Sequence, residues 1–99
     1  MDVSMLGAAE LASELGVRVR RERLRQNLTQ RTLAERSGVS RVTVTRMEED
    51  GSATLTKFLS VLVALRRAGD LENLLQPPTA ETIDQFIGAS QPTRQRGRR

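Results

Sequence analysis

At 99 residues the chain is long enough for one small domain with a single modest core and too short for two. It has neither cysteine nor histidine, which excludes disulfides, zinc fingers, thiol nucleophiles and histidine acid–base chemistry. The net charge, 16 − 12 = +4, is uneven: residues 1–16 carry −3, residues 17–49 carry +5, residues 50–75 balance and residues 76–99 carry +2.

The remaining carboxylates lie on strongly charged segments, the usual place for solvated surface charge, so no enzyme, metal or cofactor is expected. The longest apolar run, Val61 to Leu65, is too short to cross a membrane, and no leader pattern precedes the domain. Together these predict a cytoplasmic protein.

In chain order, residues 1–16 read as an acidic helical extension, residues 17–75 as the main domain and residues 76–99 as a flexible basic tail, the whole being all-α. Ser4 is positioned to cap a first helix that Gly16 can interrupt, with Leu11 and Leu15 on one face. The helical pattern continues from Val17 to Gln26, with Val19 inward, and stops at Asn27, the non-glycine residue best suited to a left-handed helix end.

Thr29 caps the next helix, which turns Leu33 and Ala34 inward and closes at Gly38. Ser40 caps a third, with Val44 and Met47 on its buried face and Arg41, Val42, Thr45 and Arg46 opposite. Exposed β-branched residues favour neither helix propensity nor solvation, and a helix that keeps them on one face presents a contact surface. A helix, a glycine turn and a second helix with Arg and Thr outward is an arrangement that can enter a DNA major groove.

Thr54 caps a fourth helix expected to run to about Ala68, with Leu55, Phe58, Leu59, Leu62 and Leu65 as its core stripe and Val61 and Val63 beyond it. Gly69 is the expected stop. Asp70 then caps a short fifth helix carrying Leu71, Leu74 and Leu75, either a lid on the core or half of a dimer interface, before Pro77 and Pro78 end it. The tail holds one apolar patch, Ile83, Phe86 and Ile87, spaced as in a short docking helix, and four terminal arginines.

Residues 15–66 resemble the Cro/repressor-type, or XRE, helix-turn-helix family. The match is carried by Leu15, Val19, Arg23, Leu28-Thr29-Gln30, Leu33-Ala34-Glu35, Gly38-Val39-Ser40-Arg41, Thr43-Val44, Arg46-Met47-Glu48, Gly51 and the apolar spacing of the fourth helix. The resemblance implies a five-helix, lambda-repressor-like DNA-binding domain whose third helix enters the major groove. It implies that Gln30 touches a phosphate or outer base, that Arg41, Val42, Thr45 and Arg46 face base edges, and that Ser40 and Thr43 hold phosphates. Thr29 and the more basic Arg31 belong to the same DNA-facing edge. It also implies an ion pair between Arg23 and Glu48. Glu22 stands where the family commonly has an apolar residue, and Arg31-Thr32 replace a frequent acidic pair.

Residues 53–75 and the basic extension are similar to HipB-type antitoxins, which are encoded beside HipA-like kinases. That similarity implies an autoregulatory antitoxin of a HipA-type toxin–antitoxin pair. The leading expectation is a homodimeric transcriptional repressor on a palindromic double-stranded DNA operator, joined through Val61, Val63, Leu71, Leu74 and Leu75. The alternative is an interaction module that holds a partner protein inactive and binds DNA weakly. RNA is disfavoured because stacking aromatics are missing.

Overall fold

The computed structural model describes residues 2–78. Residues 8–25 form one continuous helix, α1 (Ala8–Arg25), where Gly16 suggested an interruption. Glycine inside a helix costs roughly 1 kcal/mol relative to alanine, but here its bare backbone is what permits packing. A Cβ on Gly16 would collide with the Met47 carbonyl oxygen, and one on Gly51 would collide with Ala12. The helix is capped at Gly7 rather than Ser4, where Glu10 reaches back to accept the Gly7 N–H at 2.9 Å. Its other end follows the expectation: Asn27 is left-handed, φ 60°, with Asn27 N–H bonded to Leu24 O at 2.9 Å and Leu28 N–H to Arg23 O at 3.0 Å.

Two short helices follow, α2 (Gln30–Ser37) and α3 (Arg41–Asp50), then α4 (Leu55–Ala64). Each has a hydroxyl at its start: Thr29, Ser40 and Thr54 accept the N–H groups of Thr32, Thr43 and Lys57. Left-handed Gly38 and Gly51 end α2 and α3. The core is made where the four helices meet, from Val19, Leu33, Ala34, Val44, Met47, Val61 and Leu65, with Leu28, Val39, Phe58 and Ala64 partly buried around it.

Helix α4 departs from its expected orientation and length. Phe58, Val61 and Leu65 face the core, whereas Leu55 is 72% exposed, because apolar residues occupy more than one face and periodicity alone cannot choose between them. The helix ends at Ala64, short of Gly69, with Arg66 taking the left-handed conformation at φ 61°. Arg66 N–H bonds to Val63 O and Arg67 N–H to Leu62 O, and the Gln26 amide donates to Leu65 O at 2.8 Å. The terminal carbonyls are thus satisfied before glycine is reached.

In place of a fifth α-helix the described residues hold a 3₁₀ turn, Ala68–Leu71, followed by turns closed by Leu74 N–H to Leu71 O and Gln76 N–H to Asn73 O. The segment before Pro77 is short, proline disfavours helix in the residue ahead of it, and Leu75 is left-handed at φ 60°. Residues 1–69 form one compact unit and a second begins at Asp70. Ile83, Phe86, Ile87 and the terminal arginines lie outside the described residues. Among the described residues there is no strand, and no helix is long and apolar enough to cross a membrane.

Candidate nucleic-acid interface

The turn between α2 and α3 is built by short polar contacts. Gly38 N–H closes on Ala34 O at 2.9 Å, and the Ser37 hydroxyl donates to Ala34 O while accepting the Val39 N–H. Ser40 Oγ accepts the Thr43 N–H at 3.0 Å and lies 2.9 Å from Thr43 Oγ1. These contacts set the angle at which α3 leaves α2. On α3, Val44, Met47 and Glu48 are buried, Thr43 and Thr45 are half-buried, and Arg41, Val42 and Arg46 are exposed. Val42 keeps 59% of its surface in water.

Behind that face runs a polar network joining three helices. Arg23 of α1 grips Glu48 of α3 with two bonds, Nε to Oε2 at 2.7 Å and Nη2 to Oε1 at 3.0 Å, and gives Nη1 to the Leu28 carbonyl at 2.8 Å. Gln30, the first residue of α2, donates Nε2 to Glu48 Oε1 at 3.1 Å and accepts the Thr45 hydroxyl on Oε1 at 3.0 Å. Each end of the Gln30 amide thus has one partner within the protein, which fixes its orientation and leaves one amide proton and one oxygen lone pair. A bidentate guanidinium–carboxylate pair has a fixed plane, so it orients α3 against α1 as well as neutralising two buried charges.

The exposed charge on this side is cationic toward the start of α3 and acidic at its end. Among the described residues no side-chain hydrogen bond or ion pair engages Arg36 or Arg41. Arg31 makes only a loose, solvent-exposed pair with Glu35 at 3.6 Å. At the far end, the Ser52 hydroxyl and N–H hold the Asp50 carboxyl below the usual carboxylate range, with a smaller lowering by the charge of Arg46.

A second polar cluster, which the sequence reading did not anticipate, explains Glu22. Its carboxylate accepts Arg25 Nε at 2.8 Å and Nη2 at 2.6 Å, the Gln26 amide at 2.8 Å, and pairs with Arg67 Nη1 at 3.0 Å. Hydrogen bonds from Arg25 and then Gln26, with the charges of Arg25 and Arg67, hold the Glu22 carboxyl down to about 2 against its partial burial. The cluster ties the end of α1 to the end of α4. The i, i+3, i+4 spacing of Glu22, Arg25 and Gln26 carries a local signal of it, but Arg67 carries none.

The residues expected to form a dimer interface fare differently from one another. Val61 is wholly buried in the core of its own chain and offers no surface, so it is removed from that set. Val63 is 64% exposed on α4. Within the second unit Leu71 is half-buried, while Leu74 and Leu75 are exposed.

A capped helix leading by a glycine turn into a second helix with an exposed Arg–Val face defines the class of helix-turn-helix proteins. The family model described as helix-turn-helix matches residues 19–71, more than half of the chain, and the chain belongs to that family of DNA-binding transcription regulators. No curated protein matches the sequence.

Proposed function

We propose that this chain is a homodimeric, sequence-specific transcriptional repressor of the Cro/repressor type acting in the cytoplasm. The observation that carries the proposal is the start of α3, where Arg41, Val42 and Arg46 are exposed on a helix whose opposite face is locked into the core and into the Arg23–Glu48 pair. Arg41, Val42, Thr45 and Arg46 meet base edges, while Thr29, Arg31, Ser40 and Thr43 lie along the phosphates. Gln30 positions Thr45 through its amide oxygen, and its second amide proton remains for a phosphate or outer base.

One short helix reads too few bases for genomic specificity. Two copies joined through Val63, Leu71, Leu74 and Leu75, with recognition helices about 34 Å apart, fit a palindromic operator. The test is a gel shift with DNA from the chain's own upstream region against random duplex across a salt series. The proposal expects preferential binding whose logarithm falls linearly with log salt, at about −0.9 per phosphate neutralised. Equal, weak binding to both duplexes would instead favour an interaction module.

The narrower role is that of an antitoxin that represses its own operon and holds a HipA-like kinase inactive. It is supported by the resemblance of residues 53–75 and by apolar side chains at Leu55, Val63, Leu74 and Leu75 left open to solvent. Co-purification from the native operon tests it: a kinase companion is expected, and a chain that emerges alone would leave an ordinary repressor.

A further inference from the structure

Thr45 stands half-buried on the exposed side of α3, and a threonine hydroxyl can give one hydrogen bond and receive two. The network behind it determines which of these remains for an incoming base. Glu48 faces the Arg23 guanidinium with both oxygens, and a carboxylate has no proton to offer. The Gln30 amide must therefore turn its NH₂ toward Glu48, as the 3.1 Å contact shows, and its oxygen toward Thr45. That oxygen has only lone pairs, so the single proton of the Thr45 hydroxyl is committed to it across 3.0 Å. What the hydroxyl still presents is lone pairs alone.

We infer that Thr45 is an acceptor-only reader, which selects a base bearing an exocyclic amino group on the strand it faces. In the major groove those groups are adenine N6 and cytosine N4; guanine and thymine present only acceptors at the corresponding edge, apart from the thymine methyl. A lone pair facing guanine O6 or thymine O4 would meet another lone pair. Specificity at this position is thus set from a distance of three residues, by the chain Arg23, Glu48, Gln30, Thr45, which passes a fixed hydrogen-bond polarity from the buried ion pair to the surface. Gln30 is a positioning residue here and Thr45 the contacting one. The inference rests on the reading of α3 as a major-groove helix.

Selection of bound sequences from a randomised duplex pool by the full chain tests it, with Thr45→Ser, Thr45→Val and Gln30→Ala run in parallel and their folding checked by circular dichroism. The wild type is expected to show one position per half-site where A or C exceeds G or T by about fivefold or more, the lower edge of a single mismatch penalty. Thr45→Ser keeps the hydroxyl and should keep that preference; Thr45→Val should erase it there and leave other positions readable. Gln30→Ala frees the proton, lets the hydroxyl donate as well as accept, and should flatten the same position toward all four bases. A Thr45→Val profile identical to wild type, a Thr45-dependent position that prefers G or T, or an A/C preference that survives Gln30→Ala would overturn the inference while leaving DNA binding intact. Failure of the wild type to enrich any sequence would instead count against the repressor reading itself, and the inference would fall with it.

Discussion

Glu22 and Arg23 are neighbours on α1, and each anchors a polar cluster, yet the two clusters work under different physical conditions. Arg23 and Glu48 keep only 9% and 2% of their side-chain surface in water, so every donor and acceptor must be met inside the protein. Glu22 is nearly as sheltered at 11%, but its partners Arg25 and Arg67 stand 68% and 42% exposed, where water competes for each of their bonds. The buried pair fixes the relation of α1 to α3 and carries a hydrogen-bond polarity onward to the surface. The outer cluster closes the end of α4. Enclosure of both partners, more than the number of bonds, separates a contact that orients α3 from one that trims a helix end.

The largest effect is expected where enclosure is complete. Arg23→Ala leaves the Glu48 carboxylate buried and unpaired and should lower stability by about 3–5 kcal/mol in denaturant melts, whereas replacing both residues by apolar ones of similar volume should cost far less. Small, additive losses in the double-mutant cycle would place the pair with ordinary surface contacts and dissolve the contrast with Glu22.

Arg41→Ala touches neither cluster. It should leave the melting temperature nearly unchanged and weaken binding to the specific site by about 1–3 kcal/mol beyond any loss on random DNA.

On the outer side, Glu22→Gln should cost about 1–2 kcal/mol near neutral pH, reduced from the full linkage value because Arg25 and Arg67 are open to solvent. The sign follows from the depressed carboxyl: held at about 2 in the fold against roughly 4.3 in the unfolded chain, Glu22 contributes stability that is complete above pH ~4.3 and is lost as pH falls toward 2. Wild type and Glu22→Gln should therefore converge in acid melts, and a constant gap down to pH 2 would show that the charge is not what the cluster uses.

The smallest effect is a gain. Arg66 holds the left-handed conformation at the end of α4 without the freedom of glycine, and Arg66→Gly should raise stability by up to about 1 kcal/mol. A loss on that substitution would mean that the arginine side chain contributes more than its backbone costs.

Much of the α2–α3 side was legible because its signals are local. Thr29, Ser40 and Asn27 announce helix ends through side-chain and backbone chemistry confined to a few residues, and Val44 and Met47 repeat at helical spacing. What was illegible depends on contacts distant in sequence. Gly16 reads as an interruption until Met47 is seen against it, and Glu22 looks misplaced until Arg67 arrives from α4. Val61 and Leu55 exchange roles because α4 is apolar on several faces, so the neighbouring helices, not the periodicity, choose which side goes inward. The family resemblance implies a DNA contact for Gln30; only the fold reveals that its amide also links Glu48 to Thr45.

If α3 reads base sequence through its exposed first turns, affinity must separate the specific site from random DNA. The most direct measurement is the ratio of affinities for the chain's own upstream duplex and for random duplex, taken at one fixed salt concentration for the wild type and Arg41→Ala. A sequence-reading helix gives a wild-type ratio of about 10³ or more that falls by roughly five- to 150-fold in the variant, since a mismatched contact costs about 1–3 kcal/mol. A wild-type ratio near one, or a ratio unmoved when Arg41 is removed while both affinities drop together, would contradict it.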